Sequence, residues 1–103
     1  MKFLRFLMAE PAKALELTQL ADKIWTDPPA GAKMLALYIC AGLAFPGQPL
    51  DKFVGIGVFE MENAEAMTST SYPAMLAGAN LWWVPVQEVP IGGAVEAEKQ
   101  MKE

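Results

Sequence analysis

Histidine is absent from the 103 residues, and arginine and cysteine occur once each, as Arg5 and Cys40. Without histidine the chain lacks the commonest general base and neutral metal ligand, and with them every Ser-His-Asp or Cys-His arrangement. A single cysteine excludes an intramolecular disulfide, a CxxC redox pair and a thiolate metal cage. It fits a reducing, cytoplasmic setting, and Cys40 itself reads as a small core residue.

Basic charge is also sparse. Eight Lys and Arg face twelve Asp and Glu, for a net charge of −4, and the basic positions are scattered. No stripe follows a phosphate backbone, so no nucleic-acid partner is expected. Nor is a membrane partner expected. The longest strongly apolar run, 34–45, ends at Pro46-Gly47, well short of the ~20 residues of a spanning helix. The apolar start is interrupted by Arg5 and closed by Glu10-Pro11, so it reads as a strand rather than a leader. The acidic pairs Asp22 and Asp27, Glu60 and Glu62, and Glu96 and Glu98 lack the oxygen ligands of a calcium loop. No metal and no cofactor are expected.

What is abundant is apolar material, 53% of residues against 19% charged, more than a one-core monomer of this length usually needs. The length suits one domain. Residues 2–8 read as a strand, and Pro11 suits the first turn of a helix over 11–25. Within it Leu17, Leu20, Ala21 and Ile24 recur at helical spacing. Asp27-Pro28-Pro29-Ala30-Gly31 forbids its continuation. Strands over 33–40 and 52–60 flank a long loop carrying Pro46, Gly47 and Pro49. Asn63 can cap a second helix, with a break expected near Tyr72-Pro73 and a left-handed stop at Gly78. A fourth strand, 81–89, holds Pro85 and should be an edge or carry a bulge.

The order βαββαβ with right-handed crossovers implies a ferredoxin-like α+β fold over 1–91, a four-stranded antiparallel sheet in order 4-1-3-2 with both helices on one face. Residues 92–103 form a short helical or flexible tail. Alternation splits the strands into Leu4, Phe6, Met8 against Phe3, Arg5, Leu7; Leu35, Leu37, Ile39 against Met34, Ala36, Tyr38, Cys40; and Val54, Ile56, Val58 against Phe53, Gly55, Gly57, Phe59. No set is polar throughout. With the β-branched sets expected beneath the helices, the other face is apolar and bare. At ~25 cal/mol per Å², covering it favours a homodimer closed through that face.

Pro29-Ala30-Gly31-Ala32-Lys33-Met34-Leu35 ahead of the second strand, and Tyr72-Pro73 with Ala77-Gly78-Ala79 leading to Trp82, Val84, Pro85 and Val86, carry a family resemblance. The chain resembles short prokaryotic proteins of a domain-of-unknown-function family in the dimeric α+β barrel superfamily, over nearly all of 2–90. These motifs are structural punctuation without a catalytic signature. The resemblance implies a dimer; relatives include cofactor-independent oxygenases, lactone isomerases, haem-binding chlorite-degrading enzymes and stress-responsive proteins. A histidine-ligated haem is excluded here.

If the open face borders a cavity, strand parity gives it Arg5, Tyr38 and either Gln87 with Trp83 or Glu88 with Trp82. An arginine in apolar surroundings can hold a carboxylate or enolate; equally, Arg5 can pair with Glu60 or Glu88. Gly55 and Gly57 leave room above the third strand for a small apolar ligand bordered by Trp82 or Trp83, or for a partner's tryptophan. Gly55-x-Gly57 lacks the third glycine and the strand-to-helix context of a dinucleotide site. The same two glycines stand where an RNA-recognition motif needs aromatic rings. The loop 45–49, with Phe45 at its tip, can cover a cavity mouth. Three functions remain open: a homodimer binding a small apolar or aromatic acid, held by Arg5 and Tyr38; a cofactor-independent oxygenase or isomerase; and a dimer with no ligand.

Overall fold

A computed structural model describes residues 1–102; Glu103, the end of the expected tail, lies outside them. The elements are β1 (Lys2–Ala9), a 3-10 turn (Pro11–Lys13), α1 (Ala14–Thr26), β2 (Ala32–Ile39), β3 (Phe53–Met61), α2 (Ala64–Leu76), β4 (Asn80–Pro85) and α3 (Ala94–Lys102). The strands form one sheet in the order β2-β3-β1-β4, and all three pairings are antiparallel. This is the ferredoxin-like α+β architecture, with β4 at an edge.

The punctuation acts as its chemistry requires. Asn63 caps α2, its side-chain oxygen accepting from the Ala66 N–H at 2.8 Å, a contact worth about 1 kcal/mol. Gly78, at φ +101°, ends that helix in the left-handed region that a Cβ would penalise. The Ala79 N–H then bonds back to the Ala74 carbonyl at 3.1 Å. Two expectations fail locally. α2 runs unbroken through Pro73, and β4 stops at Pro85 instead of continuing to 89. The extra residue sits elsewhere, in a bulge at Leu35 between Met34, opposite Phe59, and Ala36, opposite Val58.

Two buried clusters lie between helices and sheet. One joins Ala9, Leu17, Ala74 and Ala79; the other joins Ala32, Phe59, Met61 and Ala66. Phe59 is wholly excluded from solvent, packed against Trp25 (ring centroids 4.9 Å) and Trp83 (5.3 Å). The Trp83 indole N–H donates to the Ser71 hydroxyl at 2.9 Å, tying β4 to α2.

In β1 and β3 the faces are therefore assigned the other way round from the sequence expectation. Beneath the helices lie Phe3, Arg5 and Leu7 of β1 and Phe53, Gly55, Gly57, Phe59 and Met61 of β3. The expected set Val54, Ile56 and Val58 faces away. The physical reason is volume: the large Phe59 and Met61 fill the layer, and the glycines admit their bulk. In β2 the bulge switches parity, so Ala32 and Met34 pack into the helix-side core while Leu37 and Ile39, beyond it, again face α1.

The opposite face is partly covered by the chain itself. Trp82 stacks on Phe6 (5.2 Å, 2° between planes), and Phe45, from the loop between β2 and β3, stands edge-on to Trp82 at 5.9 Å. Gln48 braces that loop, accepting from the Ala44 N–H at 2.6 Å and donating to the Lys52 carbonyl at 3.1 Å.

Candidate functional site

Arg5 is the one buried charge among the described residues. Its β1 position, opposite Gly57 on β3 and Trp83 on β4, points it into the helix side of the sheet, where it is 5% exposed. The guanidinium carbon lies 4.8 Å from the Phe59 ring centroid and 5.7 Å from that of Trp83, so two aromatic faces hold it. Its Nε has no hydrogen-bond partner, and no ion pair joins it to any described carboxylate. Burial pushes its pKa below the usual guanidinium range, to about 10; at neutral pH it remains a cation without a counter-ion among the described residues.

The acids proposed as partners from sequence are engaged elsewhere for a geometric reason. Glu60 stands opposite Lys2 on β3, on the parity opposite to Arg5, and pairs with the Met1 amino group at 3.2 Å. Glu88 lies exposed beyond β4 and pairs with Lys2 at 3.6 Å.

Beside Arg5 opens a cavity of about 430 Å³ between α1 and the β1, β2 and β3 strands, within the roughly 300–1,000 Å³ common for small-molecule sites. Leu7 and Phe53 close it from the sheet, Leu37 and Ile39 from the edge strand, and Leu17 and Ala21 from α1. Only Arg5, Thr18 and Asp22 bring polar side-chain atoms to it. An apolar chamber with one uncompensated cation can hold a small anion whose body is apolar.

The two glycines serve different ends. A Cβ on Gly57 would run into the ring of Phe59, which lies down along its own strand over that position. A Cβ on Gly55 would meet only Ile39 Cδ1 at 3.4 Å and the Tyr38 carbonyl at 3.6 Å, and would project into the cavity that Gly55 lines.

Of the residues singled out from sequence, Arg5 and Gly55 line this cavity, while Gly57 and Trp83 lie on the same face within the aromatic packing that holds Arg5. Tyr38 and Trp82 belong to the other face, Tyr38 opposite Ile56 and 61% exposed, Trp82 against Phe6. Glu88 is outside both. They do not form one site. Sequence reasoning missed Thr18 and Asp22, although Ala14, Thr18, Ala21 and Asp22 recur at helical spacing beside the Leu17 stripe. Small and polar residues on a sheet-facing helix were the available signal.

No family model matches the chain, and no curated protein matches it. Among solved structures it is similar to the C-terminal domain of the MgtC protein from Mycobacterium tuberculosis, with TM-score 0.59 and 8% identity over 81% of this chain and 84% of that one. It is also similar to a DUF3240 family protein from Shewanella baltica, with TM-score 0.51 and 11% identity over 87% and 94%. A proposed antibiotic biosynthesis monooxygenase from Deinococcus radiodurans aligns at TM-score 0.46 and 17% identity over 88% and 97%. The likeness to the first two is one of fold, and agrees with a ferredoxin-like domain. Among the described residues no helix is long and apolar enough to cross a membrane, and no group of three or more His, Cys, Asp or Glu is placed to hold a metal.

Proposed function

We propose that the chain binds a small apolar or aromatic acid in the cavity between α1 and the sheet, its carboxylate against Arg5. The observation that carries this reading is the guanidinium itself, 5% exposed, with an unpartnered Nε and an apolar chamber at its side. A buried charge without a partner is costly, and a carboxylate supplies the counter-ion that the guanidinium lacks. Tyr38, on the far face, is not part of the site, which also weakens the reading as an oxygenase or isomerase in which it was to assist. Titration with benzoate and phenylacetate, followed by protein NMR at pH 7, tests the proposal. Saturable shifts at Leu7, Leu37 and Gly55 are expected, with affinity at least tenfold lower in Arg5→Leu. An unaltered spectrum at millimolar acid, or equal affinity in Arg5→Leu, would overturn it.

The same reading holds that the protein works as a cytoplasmic homodimer closed through the other face of the sheet. Support comes from the half-buried Leu4, Phe6, Ile56, Val58 and Trp82 and the exposed Val84 on that face. Its own loop covers only part of it. Native mass spectrometry at micromolar protein is expected to give twice the 11.2 kDa chain mass; a protomer alone removes the dimer without touching the acid site.

A further inference from the structure

We propose that the acid taken up by this cavity carries a second polar group at the end away from its carboxylate, a cation or a hydrogen-bond donor, and that Asp22 receives it. The inference rests on the acid-binding reading above and adds the chemistry of the ligand's far end.

The cavity's three polar side chains are sorted by depth and by polarity. Arg5 forms the buried end, and a guanidinium offers donors only. Thr18 and Asp22 are exposed on α1 and form the rim. They stand four residues apart and so lie on one helix face. The Thr18 hydroxyl donates its proton to the Ala14 carbonyl at 2.8 Å, which leaves lone pairs toward the cavity. Thr26 Oγ1 donates to the main-chain oxygen of Asp22, and the Asp22 carboxylate forms no ion pair with any described residue. The deep end thus offers only donors and the rim only acceptors, with carbon between them. A molecule matched along its length has an acceptor anion at one end, an apolar middle, and an ammonium, amine or hydroxyl donor at the other. ω-Amino acids with apolar bodies and amino- or hydroxy-substituted aromatic acids meet this description, whereas a dicarboxylate brings a second anion against Asp22.

Three probes of similar body separate the cases: benzoate, 4-(aminomethyl)benzoate and terephthalate, each titrated against the whole chain, Asp22→Asn and Asp22→Lys. Asp22 is a surface position, so both variants keep the fold; circular dichroism verifies this. The unaltered protein is expected to bind the aminomethyl acid roughly two- to fivefold more tightly than benzoate, and terephthalate more weakly by a similar factor, the size of an exposed charge contact. Asp22→Asn draws the three affinities together, and Asp22→Lys reverses the order. Equal affinities in the unaltered protein, or an order that Asp22→Lys leaves in place, overturns the proposal. If benzoate binding still depends on Arg5 in that case, the acid site stands and only the role of Asp22 falls; if it does not, the acid site itself is lost.

Discussion

The two ends of the helix-covered sheet are built from the same kinds of residue and packed to opposite results. Where β2 begins, Trp25, Phe59 and Trp83 meet ring to ring, and Phe59 and Met61 are closed to solvent. Where β2 finishes, Leu37 and Ile39 remain 46% and 66% exposed around the cavity, because α1 presents Ala14 and Ala21 there and β3 presents Gly55. Arg5 stands at the boundary, gripped by rings on the full side and facing space on the hollow one. Side-chain volume, rather than hydrophobicity, separates core from site, since both ends are apolar. It is this hollow beside a buried charge that the proposed acid would fill.

The largest effect is expected on the full side. Gly57→Ala places a methyl group where the Phe59 ring lies. That ring cannot swing aside, being hemmed in by Trp25, Trp83 and the Arg5 guanidinium. Overpacking of this kind costs about 2–3 kcal/mol, or a fall in Tm of roughly 10 °C or more for a domain of this size. Thermal unfolding followed by circular dichroism measures it. A shift below about 2 °C would show that the ring has room to move and that the two ends are less different than described.

Arg5→Met is expected to act in the opposite direction and by less. Lowering a guanidinium from its usual range to about 10 corresponds to about 3 kcal/mol of disfavoured charge, against which the two aromatic contacts return about 1–2 kcal/mol. The variant should therefore be about 1–2 kcal/mol more stable in urea while losing acid binding, which separates function from stability at one residue. The pH dependence has a definite sign. The folded pKa is below the unfolded one, so the unfolded chain holds the proton more tightly and the penalty is complete below about pH 10. It is relieved as pH rises above about 10 toward the ordinary guanidinium range. The gap between the two proteins should be constant from pH 6 to 9 and shrink above 10. A less stable Arg5→Met would mean that the arginine supports the fold rather than a ligand.

How much of this was legible in the sequence follows from which physical rule each feature obeys. Strand order, the Asn63 cap, the Gly78 stop and the Pro28-Pro29 terminator depend on local chemistry, and that chemistry is written residue by residue. The orientation of the sheet is not local. Both alternating sets of β1 and of β3 are apolar enough to be buried, so periodicity divides them without saying which set meets the helices. One inverted choice moved Arg5, Gly55 and Gly57 to the wrong face together. The bulge at Leu35 had no glycine or proline to announce it. Arg5 and Gly55 were singled out by rarity and size, which survive the inversion; the grouping with Tyr38 and Trp82 depended on parity and did not.

The smallest effect on stability, and the sharpest contrast, is expected from Gly55→Ala, the same substitution two residues away from Gly57. The added methyl group meets Ile39 Cδ1 at 3.4 Å and the Tyr38 carbonyl at 3.6 Å, ordinary contacts, so stability should change by no more than about 0.5 kcal/mol. The cavity loses the space of one methyl group at its sheet wall. If an aromatic acid lies there, phenylacetate should weaken by roughly three- to tenfold, and acetate, which reaches Arg5 without needing the wall, should not weaken at all. NMR titration of both acids with Gly55→Ala measures the difference. Equal losses for the two would place the ligand body away from β3; no loss for either would leave the Gly55 hollow as unused space and return the contrast with Gly57 to packing alone.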